Sequence, residues 1–330
     1  MRLGVLCSGG DAPGMNACIR AVVRSAVSSG IEVVGILRGY QGILDEDFYR
    51  HEVNGSVMAL RSVSDIARMG GTVLGSSRCP EFQTEAGLQR AAEILRKHRI
   101  DALVPIGGNG TQHGAHDLLA HWDGLIVGCP GTIDNDLLGT DYTIGFCTAV
   151  NTAVEAMDRI RDTAESHDMM FLVEVMGRHS GCLALWTAVA GGAEIACIPE
   201  TPTDIPALVE QLREMKNRGK RSVLMIVAEG DELGGAVEVA KRLVDAGCPF
   251  PGVRTVTLGH VQRGGSPVPE DRILASMLGD FAVQAIRKGK TDVMAGIIGG
   301  QLTLTPLPET YIGHRPVPPE MIELLNVLSQ

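Results

Sequence analysis

Aromatic residues make up only 4% of the chain, so Val, Ile, Leu and Ala have to fill its core. Positive charge is also short. Lys and Arg number 29 against 39 Asp and Glu, a formal net charge of -10. That balance argues against a general nucleic-acid or membrane surface, although local basic pockets for phosphates remain compatible with it. No apolar run is long enough to span a bilayer, and no signal peptide precedes the first strand. The eight cysteines (Cys7, Cys18, Cys79, Cys129, Cys147, Cys182, Cys197, Cys248) form no CxxC pair and no His/Cys ligand spacing. Several stand inside apolar runs, the pattern of reduced core thiols in a cytoplasmic protein.

What the chain has is length, apolar content and glycine. Its 330 residues are about two ordinary domains' worth of chain, and 45% of them are hydrophobic. The 41 glycines cluster where apolar runs end, which suits an α/β protein with many tight strand-to-helix turns. The clearest case is Gly131-Thr132-Ile133-Asp134-Asn135-Asp136, which follows the buried-strand run Gly124 to Pro130. Two carboxylates thus stand two residues apart at the carboxyl end of a strand, the edge where open parallel sheets bind ligands. Taken alone, the hexapeptide fits a capped turn as well as a site, because Asp and Asn are ordinary turn residues.

Other strand ends repeat the arrangement. Leu3 to Cys7 is a buried strand followed by Ser8-Gly9-Gly10-Asp11-Ala12-Pro13-Gly14-Met15-Asn16 and a helix to about Ser29. Such a turn lets backbone N–H groups approach a phosphate at a helix N-terminus, yet it is neither a Walker A loop nor a GxGxxG fingerprint. Arg20 and Arg24 share one face of that helix, either a solvated face or half of an anion pocket. Glu32 to Leu37 is the second expected strand, and the polar segment Asp45 to Ala59 an exposed excursion. Gly70 to Arg78 is glycine-rich and ends in an arginine that could reach a phosphate or stand free on the surface. After a helix over Glu85 to His98 and a strand over Ala102 to Ile106, Gly107-Gly108-Asn109-Gly110-Thr111 gives the strand–glycine turn–helix pattern again.

A helix over Gly145 to Glu165 leads to a strand over Met170 to Val175 and the loop Met176-Gly177-Arg178-His179-Ser180-Gly181. A strand over Glu194 to Ile198 follows. Arg218, Lys220 and Arg221 precede a strand over Ser222 to Val227, at the sheet edge opposite the glycine loops, and Glu229 follows it. Arg254 leads towards His260-Val261-Gln262-Arg263-Gly264-Gly265-Ser266-Pro267. A helix over Asp271 to Lys288, a strand over Asp292 to Ile298 and a helix over Pro319 to Leu328 complete the expectation. Phosphoryl transfer needs this inventory: donors that cradle polyphosphate, a carboxylate for a metal or a hydroxyl, and arginines that spread charge. By themselves the residues support a phosphate-handling enzyme.

Together the loops resemble the bacterial type of the ATP-dependent 6-phosphofructokinase family. The matching stretches are Ser8 to Asn16, Pro130 to Asp136, Met176-Gly177-Arg178, Gly259 to Pro267 and Asp271-Arg272-Ile273-Leu274-Ala275-Ser276, in the family's order. The resemblance implies an α/β fold of two Rossmann-like domains with largely parallel sheets and an active site in the cleft between them. Residues 1 to about 145 with about 262 to 310 would bind nucleotide; about 146 to 261 with about 311 to 330 would bind sugar phosphate. The implied reaction moves the γ-phosphate of ATP to the 1-hydroxyl of fructose 6-phosphate with Mg2+, giving ADP and fructose 1,6-bisphosphate in glycolysis, in a cytoplasmic homotetramer.

By the same resemblance, Asp134 is the general base, Thr132 and Arg178 steady the transferring group, and Asp136 helps organise metal and base. Arg78 stabilises charge near the bridging phosphates. Thr132, Ile133, Asp134, Met176, Gly177, Arg178, Glu229, His260 and Arg263 match sugar-phosphate contacts, with Arg254 reaching in from a neighbouring subunit. Gly10, Tyr40, Arg78, Cys79, Gly108, Asn109, Gly110 and Thr111 match the nucleotide side, and Asn109 with Asp136 the metal. Arg20, Arg24, Arg161, Glu194, Arg218, Lys220 and Arg221 fall on an effector pocket for a nucleoside diphosphate or phosphoenolpyruvate.

Four positions depart from the family pattern. Asn109 replaces a metal-associated aspartate, Gln83 a basic nucleotide contact, Met169 an arginine that reaches the sugar 6-phosphate across the subunit interface, and Ser222 a histidine. These departures leave a catalytically weakened regulatory paralogue as an alternative. A pyrophosphate-dependent enzyme is another; glycine rather than aspartate and lysine at positions 110 and 131 favours ATP by leaving space for the nucleotide.

Overall fold

A computed structural model of the chain describes residues 1–50 and 57–329. From the amino end the elements are β1 (Arg2–Cys7), α1 (Met15–Ser28), β2 (Glu32–Gly35), α2 (Tyr40–Leu44), α3 (Glu85–Lys97), β3 (Ala102–Gly107), α4 (Asn109–Leu118) and β4 (Leu125–Pro130). Then come α5 (Phe146–His167), β5 (Met170–Val175), α6 (Cys182–Gly191), β6 (Ile195–Cys197), α7 (Ile205–Asn217), β7 (Val223–Ala228) and α8 (Ala236–Asp245). The last are β8 (Arg254–Thr257), α9 (Pro269–Arg287), β9 (Val293–Ile298), β10 (Gln301–Pro306), α10 (Leu307–Tyr311) and α11 (Pro319–Leu328). Among the described residues no helix is long and apolar enough to cross a membrane.

The chain divides into two compact units. The first comprises Met1–Ile133, Leu137–Thr148 and Arg263–His314; the second comprises Asp134–Asp136, Ala149–Gln262 and the segment from Arg315 onward. The first unit holds a six-stranded sheet of order β10-β9-β4-β3-β1-β2, parallel except for β10. Its central strand β3 is fully buried, and β1 and β4 beside it are buried after their first residues, as strands covered on both faces must be. From β1 the chain goes to β2 on one side and to β3 on the other. The order therefore reverses between β1 and β3, and such a switch point leaves a crevice at the carboxyl ends of the strands. The second unit holds an all-parallel sheet, β6-β7-β5-β8, whose core includes Leu172, Met225, Leu212 and Leu243.

Two sequence expectations change here. The second strand stops at Gly35 rather than Leu37: Ile36, just past its end, forms an isolated antiparallel bridge to Phe48, and Val34 within it bridges Val57. The segment over Asp45 to Ala59 is accordingly not a wholly exposed excursion. Phe48 and Met58 are buried and cover the outer edge of β2, which would otherwise present unpaired backbone groups; residues 51–56 of that segment lie outside the described residues. All eight cysteines are free, and six are buried.

A buried carboxylate fixes the start of α5. Gly145 precedes that helix at φ +105 and has no side chain to cap it, and a Cβ there would lie 2.7 Å from that of Ala12. Asp271, from the first turn of α9, supplies the cap. Its carboxylate accepts Gly145 N at 2.8 Å, Thr148 N at 2.7 Å and Thr148 Oγ1 at 2.5 Å, with no exposure of its own. Burial pushes this carboxyl above its ordinary range, an effect that the three donors oppose. Asp271→Ala would strand two buried N–H groups and should cost about 1–3 kcal/mol. Urea unfolding checks this: Asp271→Ala is expected to have a lower midpoint than wild type, and an unchanged midpoint would show that the cap is dispensable.

Candidate active site

The first unit's part of the site is built where β1, β3 and β4 end side by side. Gly131 N donates to Gly107 O at 3.0 Å, Thr111 Oγ1 to Ser8 O at 2.9 Å, and Ser76 Oγ to Gly9 O at 2.6 Å. These bonds tie together the loops after all three strands and the segment that leads to Arg78. Asn109 opens α4, so the free amides of that helix's first turn face the same strand edge. A Cβ on Gly110 would meet nothing within 4 Å, whereas one on Gly131 would crowd Met15 Cε at 3.0 Å and Ile106 Cγ2 at 3.1 Å. The open space expected at both glycines therefore exists at Gly110 alone, and Gly131 is required by close packing.

Tyr40 is buried. Its hydroxyl donates to Thr111 O at 2.6 Å, and its ring stacks on Phe82 at 4.0 Å. In this structure it braces the Gly108–Thr111 loop from behind. Cys79 is buried nearby in sequence, with its thiol pushed up chiefly by that burial, and Arg78 is exposed. Arg263 donates to Asp11 O at 3.2 Å and lies so close to Gly10 that a Cβ there would strike the guanidinium. A residue expected on the sugar side and one expected on the nucleotide side are thus neighbours.

In the carboxylate loop, Thr132 O accepts Thr143 Oγ1 at 2.7 Å, and Asn135 takes the left-handed conformation (φ +50), which Asn tolerates better than most residues. Asp134 is 4% exposed and Asp136 7%, so both carboxylates are nearly sealed from water. Arg315 N holds Asp136 O at 3.0 Å. Among the described residues no three His, Cys, Asp or Glu converge as a metal cage. Asp136 and the solvent-shielded Oδ1 of Asn109 are hard oxygen donors. Each is a donor type that suits Mg2+, which ordinarily takes one or two carboxylates and completes its shell with phosphates and water; Asn109 belongs to the first unit and Asp136 to the second.

In the second unit, β5 ends in Met176, Gly177 (φ +138) and Arg178 (φ +53). Glu229, just past β7, accepts Arg178 N at 2.9 Å, and Glu200 accepts Gly181 N at 2.8 Å. Gly230 leaves room for the Arg178 carbonyl, into which any side chain would be driven. Met176, Gly177, Arg178 and Glu229 are thereby brought together, with the Arg178 side chain exposed. Gln262, fully buried, is a residue that motif reading misses. Its amide donates to Gly259 O at 2.9 Å and accepts Met176 N at 3.4 Å, joining the turn that carries His260 to the Arg178 loop.

Arg254 and Met169 lie at the other end of this sheet. Arg254 pairs with Phe171 at the start of β5, and Met169 directly precedes that strand. Both are separated from Arg178 by the length of β5, about 20 Å. Within one chain they do not join the Arg178 cluster. Of the expected effector residues, Glu194 is buried, pairs with Lys220, and accepts Leu224 N at 2.7 Å. Arg221 pairs with Asp168 at 2.7 Å, and Arg161 donates to the carbonyls of Gly191 and Gly192 at 2.6 and 2.7 Å. Arg218 is exposed just past α7, while Arg20 and Arg24 belong to the first unit.

Comparison with known proteins accords with this geometry. The phosphofructokinase family model matches residues 2–286. The chain is 48% identical to ATP-dependent 6-phosphofructokinase 1 of Thermus thermophilus, over 99% of each chain. It is 47% identical to the ATP-dependent 6-phosphofructokinase of Paenibacillus macquariensis, over 100% of this chain and 99% of that one. Among solved structures, the phosphofructokinase of Saccharomyces cerevisiae aligns with a TM-score of 0.84 at 34% identity. That match covers 99% of this chain and 45% of the yeast chain, so the chain spans less than half of its longer relative.

The packing at Gly230 yields a direct test. Gly230→Ala should displace the Arg178 loop and cost about 1–3 kcal/mol through overpacking. The measurement is the urea midpoint together with amide exchange at residues 176–181. An unchanged midpoint with unchanged protection would show that the loop does not depend on this contact.

Proposed function

The chain belongs to the phosphofructokinase family and is an ATP-dependent phosphotransferase; from that premise we propose that it transfers the γ-phosphoryl group of ATP to the 1-hydroxyl of fructose 6-phosphate, with Asp134 as general base. The observation that carries this reading is the nearly sealed Asp134, set three residues beyond the glycine that is bonded to the end of β3. The amides that open α4 and the Gly9–Gly10 turn cradle the polyphosphate. Asp134 takes the proton of the 1-hydroxyl as its oxygen attacks the γ-phosphorus. The bond from that phosphorus to the β,γ-bridging oxygen breaks, and ADP leaves.

Thr132, Arg178 and Arg78 spread the charge of the transferring group, and most of the acceleration comes from this positioning and electrostatics rather than from the base alone. Asp136 and Asn109 are the residues that would hold Mg2+, which would neutralise phosphate charge when bound. Glu229 does two jobs, bracing Arg178 N and meeting the sugar with His260 and Arg263. The names of the full-length relatives and the open face at Gly110 both favour ATP over pyrophosphate as donor.

A homotetramer in the cytoplasm is the assembly and location that best fit these residues. Arg254 is exposed at an edge remote from its own chain's Arg178, as a residue serving a neighbouring subunit has to be, and the eight free thiols suit a reducing compartment. Arg20 and Arg24 of the first unit, and Arg161, Glu194, Arg218, Lys220 and Arg221 of the second, are the residues proposed to contact an effector, a nucleoside diphosphate or phosphoenolpyruvate.

Asp134→Asn keeps the shape of the loop and removes the base. Its kcat should fall about a hundredfold or more while ATP affinity is retained; near-wild-type turnover in a folded variant would refute the assignment. Met169 tests the shared site. Arginine–phosphate contacts are worth roughly 1.5–3 kcal/mol, so Met169→Arg should lower the KM for fructose 6-phosphate by about one to two decades, with kcat changed less. Coincident saturation curves for the two proteins would make Met169 a bystander.

A further inference from the structure

Gln112 lies on the inner face of α4 with no exposure to solvent. Its side-chain Nε2 donates to Gly107 O at 3.0 Å and to Cys129 O at 3.2 Å. Gly107 is the last residue of β3, and Cys129 the penultimate residue of β4. The two strands are in register there, Ile106 opposite Cys129 and Gly107 opposite Pro130. Gly107 O accepts a second bond, from Gly131 N at 3.0 Å. One carbonyl therefore receives both the amide that opens the carboxylate loop and the side chain of the helix that opens with Asn109.

The fit around this side chain is specific. At Gly128 any Cβ would collide with Gln112 Oε1, so β4 gives up a side chain to admit it. Oε1 itself is buried without a hydrogen-bond partner, and leaving such an acceptor unmet is destabilising. An apolar residue of the same length would fill the space without that cost. What the amide uniquely contributes is a pair of N–H donors aimed at two strand ends.

We propose that Gln112 is a positioning residue for phosphoryl transfer: it fixes the spacing between the phosphate-cradling turn of α4 and Gly131, where the carboxylate loop begins, by holding the last carbonyl of β3 and the penultimate carbonyl of β4. The inference rests on the functional reading above in so far as those loops carry phosphate and base. Gln112 touches neither substrate; it acts through Gly107 and Gly131.

Three measurements test the proposal. Gln112→Met keeps length and removes both donors. Its kcat should fall about tenfold or more, since small displacements of reacting groups are costly, with the KM for fructose 6-phosphate changing less than about twofold. Amide exchange at Gly131 should rise in the same variant. This readout needs no turnover, so it judges the strut even if the wild-type chain failed to phosphorylate fructose 6-phosphate, which would refute the functional reading instead. Gln112→Glu supplies a pH signature. Its ionised carboxylate repels both carbonyls, while the protonated form, favoured by burial, donates one O–H. Its kcat relative to wild type should therefore recover by about threefold or more between about pH 8 and pH 6. Folded Gln112→Met with wild-type kcat and Gly131 exchange overturns the proposal. If that variant does not fold, a Gln112→Glu ratio to wild type that is flat with pH overturns it instead.

Discussion

The carbonyl of Gly107 is the point on which the first unit's half of the site depends. Parallel strands in register deliver their carboxyl ends to one edge, but register alone does not fix the loops that leave that edge. Two donors on one oxygen do, Gly131 N at 3.0 Å and Gln112 Nε2 at 3.0 Å. One begins the carboxylate loop, and the other belongs to the helix whose first turn offers amides to an anion. A buried carbonyl has two lone pairs, and here both are used to hold chemistry-bearing segments to one strand end.

This economy answers an electrostatic problem. A chain of net charge -10 has to accept two polyanionic substrates. In the proposed mechanism it does so with few lysines near the strand edges, through oriented backbone amides, helix N-termini and a handful of arginines. Those donors are local and preorganised, so they act where the charge develops without making the whole surface basic. The glycines at φ +85 (Gly9) and +138 (Gly177) serve the same end, because such backbone conformations are closed to most other residues.

Much of this was legible in the sequence, for identifiable reasons. Strands such as Ala102 to Ile106 announce themselves as short aliphatic runs stopped by glycine, and the helix over Pro319 to Leu328 is marked at its start by proline. The alternation of Leu302 and Leu304 with Thr303 and Thr305 carries the signal of β10, and Ala236, Val239, Ala240 and Leu243 carry that of α8; both patterns are short and easily passed over. Contacts far apart in sequence left no local trace. Nothing in the residues near Gly145 says that Asp271 caps α5, and nothing near Gln112 points to Gly128 except the unexplained glycine in an otherwise aliphatic strand. Gly131 shows the limit most clearly, because its composition suggests open space and the packing against Met15 shows the opposite.

Every residue role proposed for this site depends on its moving phosphate from ATP to a sugar hydroxyl. The most direct measurement incubates the purified chain and Mg2+ with fructose 6-phosphate and either ATP labelled in its γ-phosphoryl group or labelled pyrophosphate, and follows the label into product. Label from ATP is expected on the 1-oxygen of fructose 1,6-bisphosphate, with a kcat/KM well above that for pyrophosphate. Label arriving from pyrophosphate with equal or higher kcat/KM, or no transfer from either donor by the folded protein, would contradict the proposed function.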